Sequence, residues 1–178
     1  MTTPRRLPRP FTPEEQARLW PVLKERPELY WSCVFLNETG LRVSEFAGIT
    51  KDIAASWPHP RWYSRAKGSY RFVGKGNVER VVPLTKAALR ASERLVGLSP
   101  NGHLLPWSIR GFNYVLNQAG DRAGVECHAH RFRHTALTRW INSGADPYVV
   151  ADLAGHLDVD TLRHYAKLSE RRLRRALG

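Results

Sequence analysis

The sequence predicts a mostly helical α+β domain with a small antiparallel β-sheet inserted near its N-terminal third. Three observations predict this. Apolar residues recur at helical spacing in capped segments on both sides of a middle of different character. That middle, residues 56–84, carries two β-rich runs around a glycine-containing four-residue turn, YRFV-GKGN-VERVVPL. The 178 residues suffice for one domain with a proper core and are short for two.

Each element follows from local chemistry. Residues 1–10 hold three prolines and three arginines and read as an extended basic linker or arm. In FTPEEQARLW, Thr12 is an N-cap, Pro13 takes the first helical position, and Glu14 and Glu15 complement the first turn. Leu29–Thr39 repeats apolar residues at helical spacing and stops at Gly40, and a short helix follows in VSEFAGI. Beyond the hairpin, helical patterning returns at Thr85–Val96 and Ser108–Ala119, separated by an Asn101–Gly102 turn. Asp146-Pro147 opens another helix that ends at Gly155, and a last helical region starts at Asp158–Asp160 and finishes in the basic ERRLRRALG. There are no internal repeats and no low-complexity segments.

Composition narrows the function. A hydrophobic content of 42% suits a globular chain and excludes a disordered one. Lys and Arg total 28 against 16 acidic residues, a net charge of +12. A surplus of that size favours a polyanionic partner, above all nucleic acid, bound with an affinity that weakens steeply with salt. Cys33 and Cys127 lie far apart in apolar company and read as small core residues, without a disulfide framework or a zinc site. No apolar run approaches the roughly 18 residues of a membrane span, and the N-terminus lacks a signal-peptide core. A soluble, cytoplasmic protein is expected.

One segment sets a puzzle. His128–Trp140 reads HAHRFRHTALTRW. Wound at about 100° per residue, Ala136, Leu137, Trp140 and Ile141 gather on one side, with Phe132 at its margin. Arg131, His134, Thr135, Thr138 and Arg139 take the other, outward side. Arg133 falls between Trp140 and Leu137, and His130 lies close to Leu137 and Ile141, so both are expected to aim at the interior. A buried guanidinium without a partner costs several kcal/mol, so either an anion is presented there or the segment is not helical that far back.

Four further positions join that pair. Arg42 projects from a turn in ETGLRVSE, with Glu45 three residues on to orient it. Lys75 sits at the hairpin tip, where an ammonium can lie against a phosphate or a leaving alkoxide. His156 follows the Gly155 helix stop, and Tyr165 lies between Leu162 and Leu168. Taken singly, each has an ordinary structural explanation. Together, two arginines, a lysine, two histidines and a tyrosine can converge on one phosphodiester. Arginines bind non-bridging oxygens and stabilise charge in a pentacoordinate transition state. The lysine and a histidine pass protons, and the phenol attacks. That kit needs no metal, in line with the lack of an acidic cluster suited to Mg²⁺.

These motifs, in this order and at these spacings, resemble the catalytic domain of the tyrosine recombinase (phage integrase) family from about Phe11 to the C-terminus. Gly40-Leu41-Arg42-Val43-Ser44-Glu45 is similar to the family's first-arginine box, with Arg42 as the arginine and Glu45 as its supporting acid. Gly74-Lys75-Gly76-Asn77-Val78-Glu79-Arg80, followed by Val82-Pro83-Leu84, resembles the hairpin that carries the general-acid lysine, Lys75. His130-Arg131-Phe132-Arg133-His134-Thr135 resembles the His-x-x-Arg box, so His130 and Arg133 inherit proton-transfer and phosphate-binding roles. Leu153-Ala154-Gly155-His156 resembles the box that supplies a second histidine donor, His156. Tyr165, nine residues on, stands where the nucleophile belongs.

The resemblance implies a site-specific DNA recombinase that works through a 3′-phosphotyrosyl intermediate without metal, ATP or other cofactor. It also implies duplex DNA as partner, a tetrameric synapse and accessory DNA-bending proteins. Family members usually carry a helical core-binding domain ahead of this one. Here about ten residues precede Phe11, and RRLPRP resembles the tail of the interdomain linker, so unaided recombination is expected to suffer. Two alternatives compete: a type IB topoisomerase-like relaxase that religates within one duplex, and a catalytically silent DNA-binding regulator of the same fold. Candidate residues at all six catalytic positions favour the recombinase.

Overall fold

The computed structural model of the chain describes residues 9–48, 63–64, 69–73, 79–99 and 103–155. Lys75, His156, Tyr165, the Asn101–Gly102 turn, the helix expected after Asp158 and residues 1–8 of the basic arm lie outside the described residues.

Among the described residues are seven helices: α1 (Pro13–Lys24), α2 (Pro27–Thr39), α3 (Val43–Ala47), α4 (Lys86–Leu98), α5 (Ile109–Ala123), α6 (Ala129–Asn142) and α7 (Pro147–Leu153). Three short strands, β1 (Tyr63–Ser64), β2 (Ser69–Val73) and β3 (Glu79–Pro83), pair antiparallel in the order β1-β2-β3. The β2–β3 ladder runs from Ser69 opposite Pro83 to Val73 opposite Glu79.

The helix starts obey the capping chemistry. The Thr12 hydroxyl accepts from the Glu15 amide while the Glu15 carboxylate accepts from the Thr12 amide, a reciprocal capping box. Thr85 and Ser108 cap α4 and α5 through the Ala88 and Gly111 amides. The Asp146 carboxylate accepts from the Tyr148 amide at α7. Three boundaries differ from the pattern, the first being α4, which runs two residues past Val96 to Leu98. Helix α2 starts at Pro27, two residues before Leu29, because proline suits the first helical position. Helix α5 runs on to Ala123, where Gly124 at φ 63° closes it; the polar surface of its last turn concealed the extension.

Helix α2 forms the centre. Leu29, Cys33, Phe35 and Leu36 are buried on it, and Tyr30, Trp31 and Val34 pack partly against the same core. A helix apolar nearly all round must be enclosed. Here α1, α4 and α6 enclose it. The ring of Phe35 meets that of Phe46 on α3 at 4.9 Å between centroids. Burying such a side chain contributes about 1.5–3 kcal/mol. The two cysteines are core residues, as composition suggested, and burial pushes both thiols up, Cys127 to about 12. A second, smaller cluster of Leu137, Ile141, Val150 and Ala154, with Trp140 packed on it, fixes α7 against α6. It also fixes the turn that follows α7. No helix among the described residues is long and apolar enough to cross a membrane.

The two-sided expectation for α6 needs correcting. Ala136, Leu137 and Ile141 face inward as expected, and Phe132 is fully buried. Arg131 and Thr135, however, are buried rather than outward-facing. The chain entering at residues 9–15 crosses that side of the helix. Arg131 Nη2 donates to Glu15 Oε2 at 2.5 Å and to the Pro10 carbonyl at 3.2 Å. Its Nε donates to the Arg9 carbonyl, its Nη1 to the Glu126 carbonyl, and its guanidinium lies over the Phe11 ring. The Thr135 hydroxyl accepts from the Phe11 amide and donates to the Arg131 carbonyl. Conversely, His130 is exposed rather than interior. It projects from the first turn of α6 on the side away from Ala129 and Phe132, which are buried in the main core.

Candidate active site

The site is assembled where three chain segments meet: the α2–α3 corner, the first turns of α6, and the turn after α7. The corner exists because Gly40 takes φ 62°, a left-handed conformation that ends α2. A Cβ at Gly40 would approach Trp140 Cη2 to 3.0 Å, so the corner sits hard against α6. The chain then turns through buried Leu41 to Arg42, the N-cap of α3.

Arg42 is held from one flank. Glu45 Oε2 accepts its backbone N–H at 2.7 Å and Glu45 Oε1 accepts Nη1 at 2.9 Å. Nη2 donates to the Gly155 carbonyl at 3.3 Å. The Arg42 side chain keeps a third of its surface open while that of Glu45 is 8% exposed. The carboxylate therefore orients a guanidinium that is still partly open to solvent, and so to an incoming oxyanion.

Arg133 is buried, at 2% exposure. Its Nη1 donates to the Gly40 carbonyl at 2.7 Å and its Nη2 to the Ala154 carbonyl at 2.6 Å. Both acceptors are backbone carbonyl oxygens, which fix the plane of the guanidinium. A single side chain thus ties the α2–α3 corner to the turn after α7. Gly155 in that turn also takes a positive φ, 67°.

His130 lies on the open side of this junction. Partial enclosure, then the positive charges of Arg133, His128 and Arg42, hold its imidazole below the ordinary histidine range. Its ring meets that of His134, one helical turn on, edge to face with centroids 4.5 Å apart. His134 is held lower still, at about 4, by burial and by His130, Arg133 and His128. Both rings are therefore neutral at pH 7.

Of the seven positions expected from sequence, Arg42, Glu45, His130 and Arg133 are described and lie together; Lys75, His156 and Tyr165 lie outside the described residues. Pattern reading missed the His130–His134 contact, although the i, i+4 spacing was its signal. It also missed the Arg131–Glu15 pair, which depends on where a remote segment crosses α6. No group of three or more His, Cys, Asp or Glu side chains suited to a metal ion occurs among the described residues.

Solved structures of site-specific recombinases share this fold. The crystal structure of XerA recombinase matches 98% of this chain and 65% of its own, with a TM-score of 0.73 at 19% identity. XerH site-specific recombinase bound to its difH substrate matches 99% and 56%, with a TM-score of 0.69 at 18% identity. The model of the phage integrase family matches residues 11–172, and the chain belongs to that family. Tyrosine recombinase XerC of Staphylococcus haemolyticus (strain JCSC1435) is 36% identical over 155 residues, 79% of this chain and 49% of the relative. Tyrosine recombinase XerA of Thermococcus kodakarensis is 32% identical over 187 residues, 97% of this chain and 63% of the relative. The chain spans about half the length of the XerC relatives it matches.

Proposed function

We propose that residues 11–178 are the catalytic domain of a site-specific tyrosine recombinase acting on double-stranded DNA, with residues 1–10 as a basic linker. One observation carries this reading. Arg42 and Arg133 converge on the Ala154–Gly155 turn, which leads directly into His156 and, nine residues later, Tyr165.

The chemistry follows from that convergence. Arg42 and Arg133 bind the non-bridging oxygens of one phosphodiester and stabilise the charge that builds in the pentacoordinate transition state. Glu45 supports Arg42. The Tyr165 phenolic oxygen attacks phosphorus and gives up its proton to His130. The bond to the 5′-oxygen breaks, and Lys75 protonates that oxygen as it leaves. His156 donates a further hydrogen bond to the phosphate. The product is a 3′-phosphotyrosyl link and a free 5′-hydroxyl. Attack by a 5′-hydroxyl from a partner strand reverses the step and exchanges strands. The ester energy stays in the protein–DNA link, so neither nucleotide hydrolysis nor a cofactor is needed.

The net charge of +12 supports a duplex partner gripped through its backbone. A synapse of four copies, accessory DNA-bending proteins and a cytoplasmic, nucleoid-associated site belong to the same reading. The test is incubation with nicked suicide duplexes carrying candidate sites. A covalent adduct that persists in EDTA and disappears in Tyr165→Phe supports the reading; gel shifts without any adduct refute it. Lys75→Ala should lose cleavage of ordinary DNA and regain it on a 5′-bridging phosphorothiolate, whose sulfur leaves without protonation.

A further inference from the structure

Helix α6 carries His130 and Arg133 near its start, yet that end lacks the local chemistry that usually holds a helix start. Its N-cap, His128, makes no side-chain cap among the described residues, and its first turn holds no acidic residue. Arg131 stands there instead, with Arg133 two residues on, and the N-terminal end of a helix disfavours cations. The hold on this turn comes from outside the helix.

Residues 9–15 supply it by way of Arg131, which is 1% exposed. Its guanidinium donates to the Arg9 and Pro10 carbonyls, to the Glu15 carboxylate, and back to the Glu126 carbonyl two residues ahead of the N-cap. Glu15 thus brings to the start of α6 the negative charge that its own first turn lacks. Phe11 closes the contact: its amide donates to the Thr135 hydroxyl at 2.9 Å, and its ring meets that of Phe132 at 4.9 Å between centroids. Arg133 reaches instead to the Gly40 and Ala154 carbonyls. The start of α6 is held between two buried guanidinium groups, one on residues 9–15 and the other on the catalytic corner.

We propose that Arg131 is a positioning residue, which takes the place of the absent cap and fixes the start of α6 so that His130 and Arg133 keep their places. This deepens the proposed recombinase reading and rests on it for the cleavage measurement alone. The role needs the whole fork. Its bonds to three carbonyls anchor the turn, and the Glu15 carboxylate offsets the cost of burying the charge. Arg131 acts through backbone placement and touches no reacting atom.

Two variants of the full chain separate placement from bulk stability. Arg131→Met combined with Glu15→Gln removes all four Arg131 bonds without stranding a charge, and the glutamine still accepts from the Thr12 amide in the capping box of α1. Glu15→Gln alone removes the charge but leaves Arg131 on its three carbonyls. Hydrogen exchange is read at the Phe132 and Arg133 amides against residues 136–141 of the same helix. In the double variant the first pair should exchange roughly tenfold faster or more while the later stretch stays near wild type. In Glu15→Gln the ratio should stay as in wild type. Single-turnover adduct formation on saturating nicked duplex should fall roughly tenfold in the double variant, as misplaced groups predict, and stay within about threefold of wild type in Glu15→Gln. Exchange that rises equally along all of α6 overturns the proposal and assigns Arg131 to general stability. So does a double variant that cleaves at the wild-type rate. If wild type forms no adduct at all, the recombinase reading fails, and the exchange ratio alone decides the positioning role.

Discussion

Arg42 and Arg133 hold adjacent carbonyls of one turn: Arg42 reaches Gly155 at 3.3 Å and Arg133 reaches Ala154 at 2.6 Å. Two cations far apart in sequence thereby become neighbours through the backbone that leads into the proposed donor and nucleophile. The turn serves as a template for the pair, and disturbing it should disturb both.

Arg133→Lys tests the template. An ammonium is a point charge and cannot serve the Gly40 and Ala154 carbonyls in the fixed fork of a guanidinium. One buried acceptor is left unmet, at a cost of about 1–3 kcal/mol in urea unfolding. Adduct formation should fall by roughly 10²-fold or more, because charge alone does not restore placed donors. A lysine variant of unchanged stability would show that the two carbonyl bonds are dispensable.

Gly40→Ala tests the corner. A left-handed φ costs a non-glycine residue roughly 1–2 kcal/mol, and the new Cβ lies 3.0 Å from Trp140 Cη2. The combined loss in chemical denaturation should exceed 1.5 kcal/mol or so, with slower cleavage because the Gly40 carbonyl anchors Arg133. Gly97→Ala is the control: its Cβ meets nothing within 4 Å, and alanine in α4 should gain about 0.5–1 kcal/mol.

The Arg131–Glu15 pair should behave as a buried ion pair. Arg131→Met leaves the Glu15 carboxylate only the Thr12 amide and the exposed Arg9 and should cost up to about 3–5 kcal/mol, whereas Arg131→Met combined with Glu15→Leu should recover much of that. Burial raises the Glu15 pKa, but the Arg131 hydrogen bond, the Thr12 amide and the charges of Arg131 and Arg9 outweigh it and leave the carboxyl below its usual range. Its contribution is therefore full above the ordinary carboxylate pKa and lost as pH falls through the lowered one. Thermal unfolding of the single and double variants decides it.

Histidine protonation should shape stability at milder acidity. His134 titrates at about 4 in the folded chain against an ordinary 6.5. Between those values the unfolded chain takes up a proton that the folded chain refuses. Stability is thus fully present above pH 6.5 and declines as pH falls towards 4. Denaturant midpoints measured across that window should fall, and His134→Phe should flatten the decline. An equally steep decline in that variant would assign the effect to His128 and His130, which shift in the same direction.

Much of this molecule was legible in its sequence, for identifiable reasons. The capped helix starts at Thr12, Thr85, Ser108 and Asp146, and the stop at Gly40, follow rules that act over three or four residues. The Arg42–Glu45 pair obeys the same short range. What escaped depended on remote chain. Arg131 read as an outward residue because nothing local says that residues 9–15 cross above it. His130 read as interior because the apolar arc was fixed on Leu137 and Ile141, whereas in the first turn of α6 the core covers Ala129 and Phe132 instead. Arg133 aimed inward as its position among Leu137 and Trp140 required, and backbone carbonyls receive it there, a role that no side-chain motif encodes.

The measurement that bears most directly on the central claim is peptide mapping of the protein–DNA adduct trapped on a nicked suicide duplex. After protease and nuclease digestion, mass spectrometry should find the residual nucleotide on the peptide containing Tyr165, joined through a 3′-phosphate. Attachment at any other residue, or a full yield of adduct from Tyr165→Phe, would contradict the account.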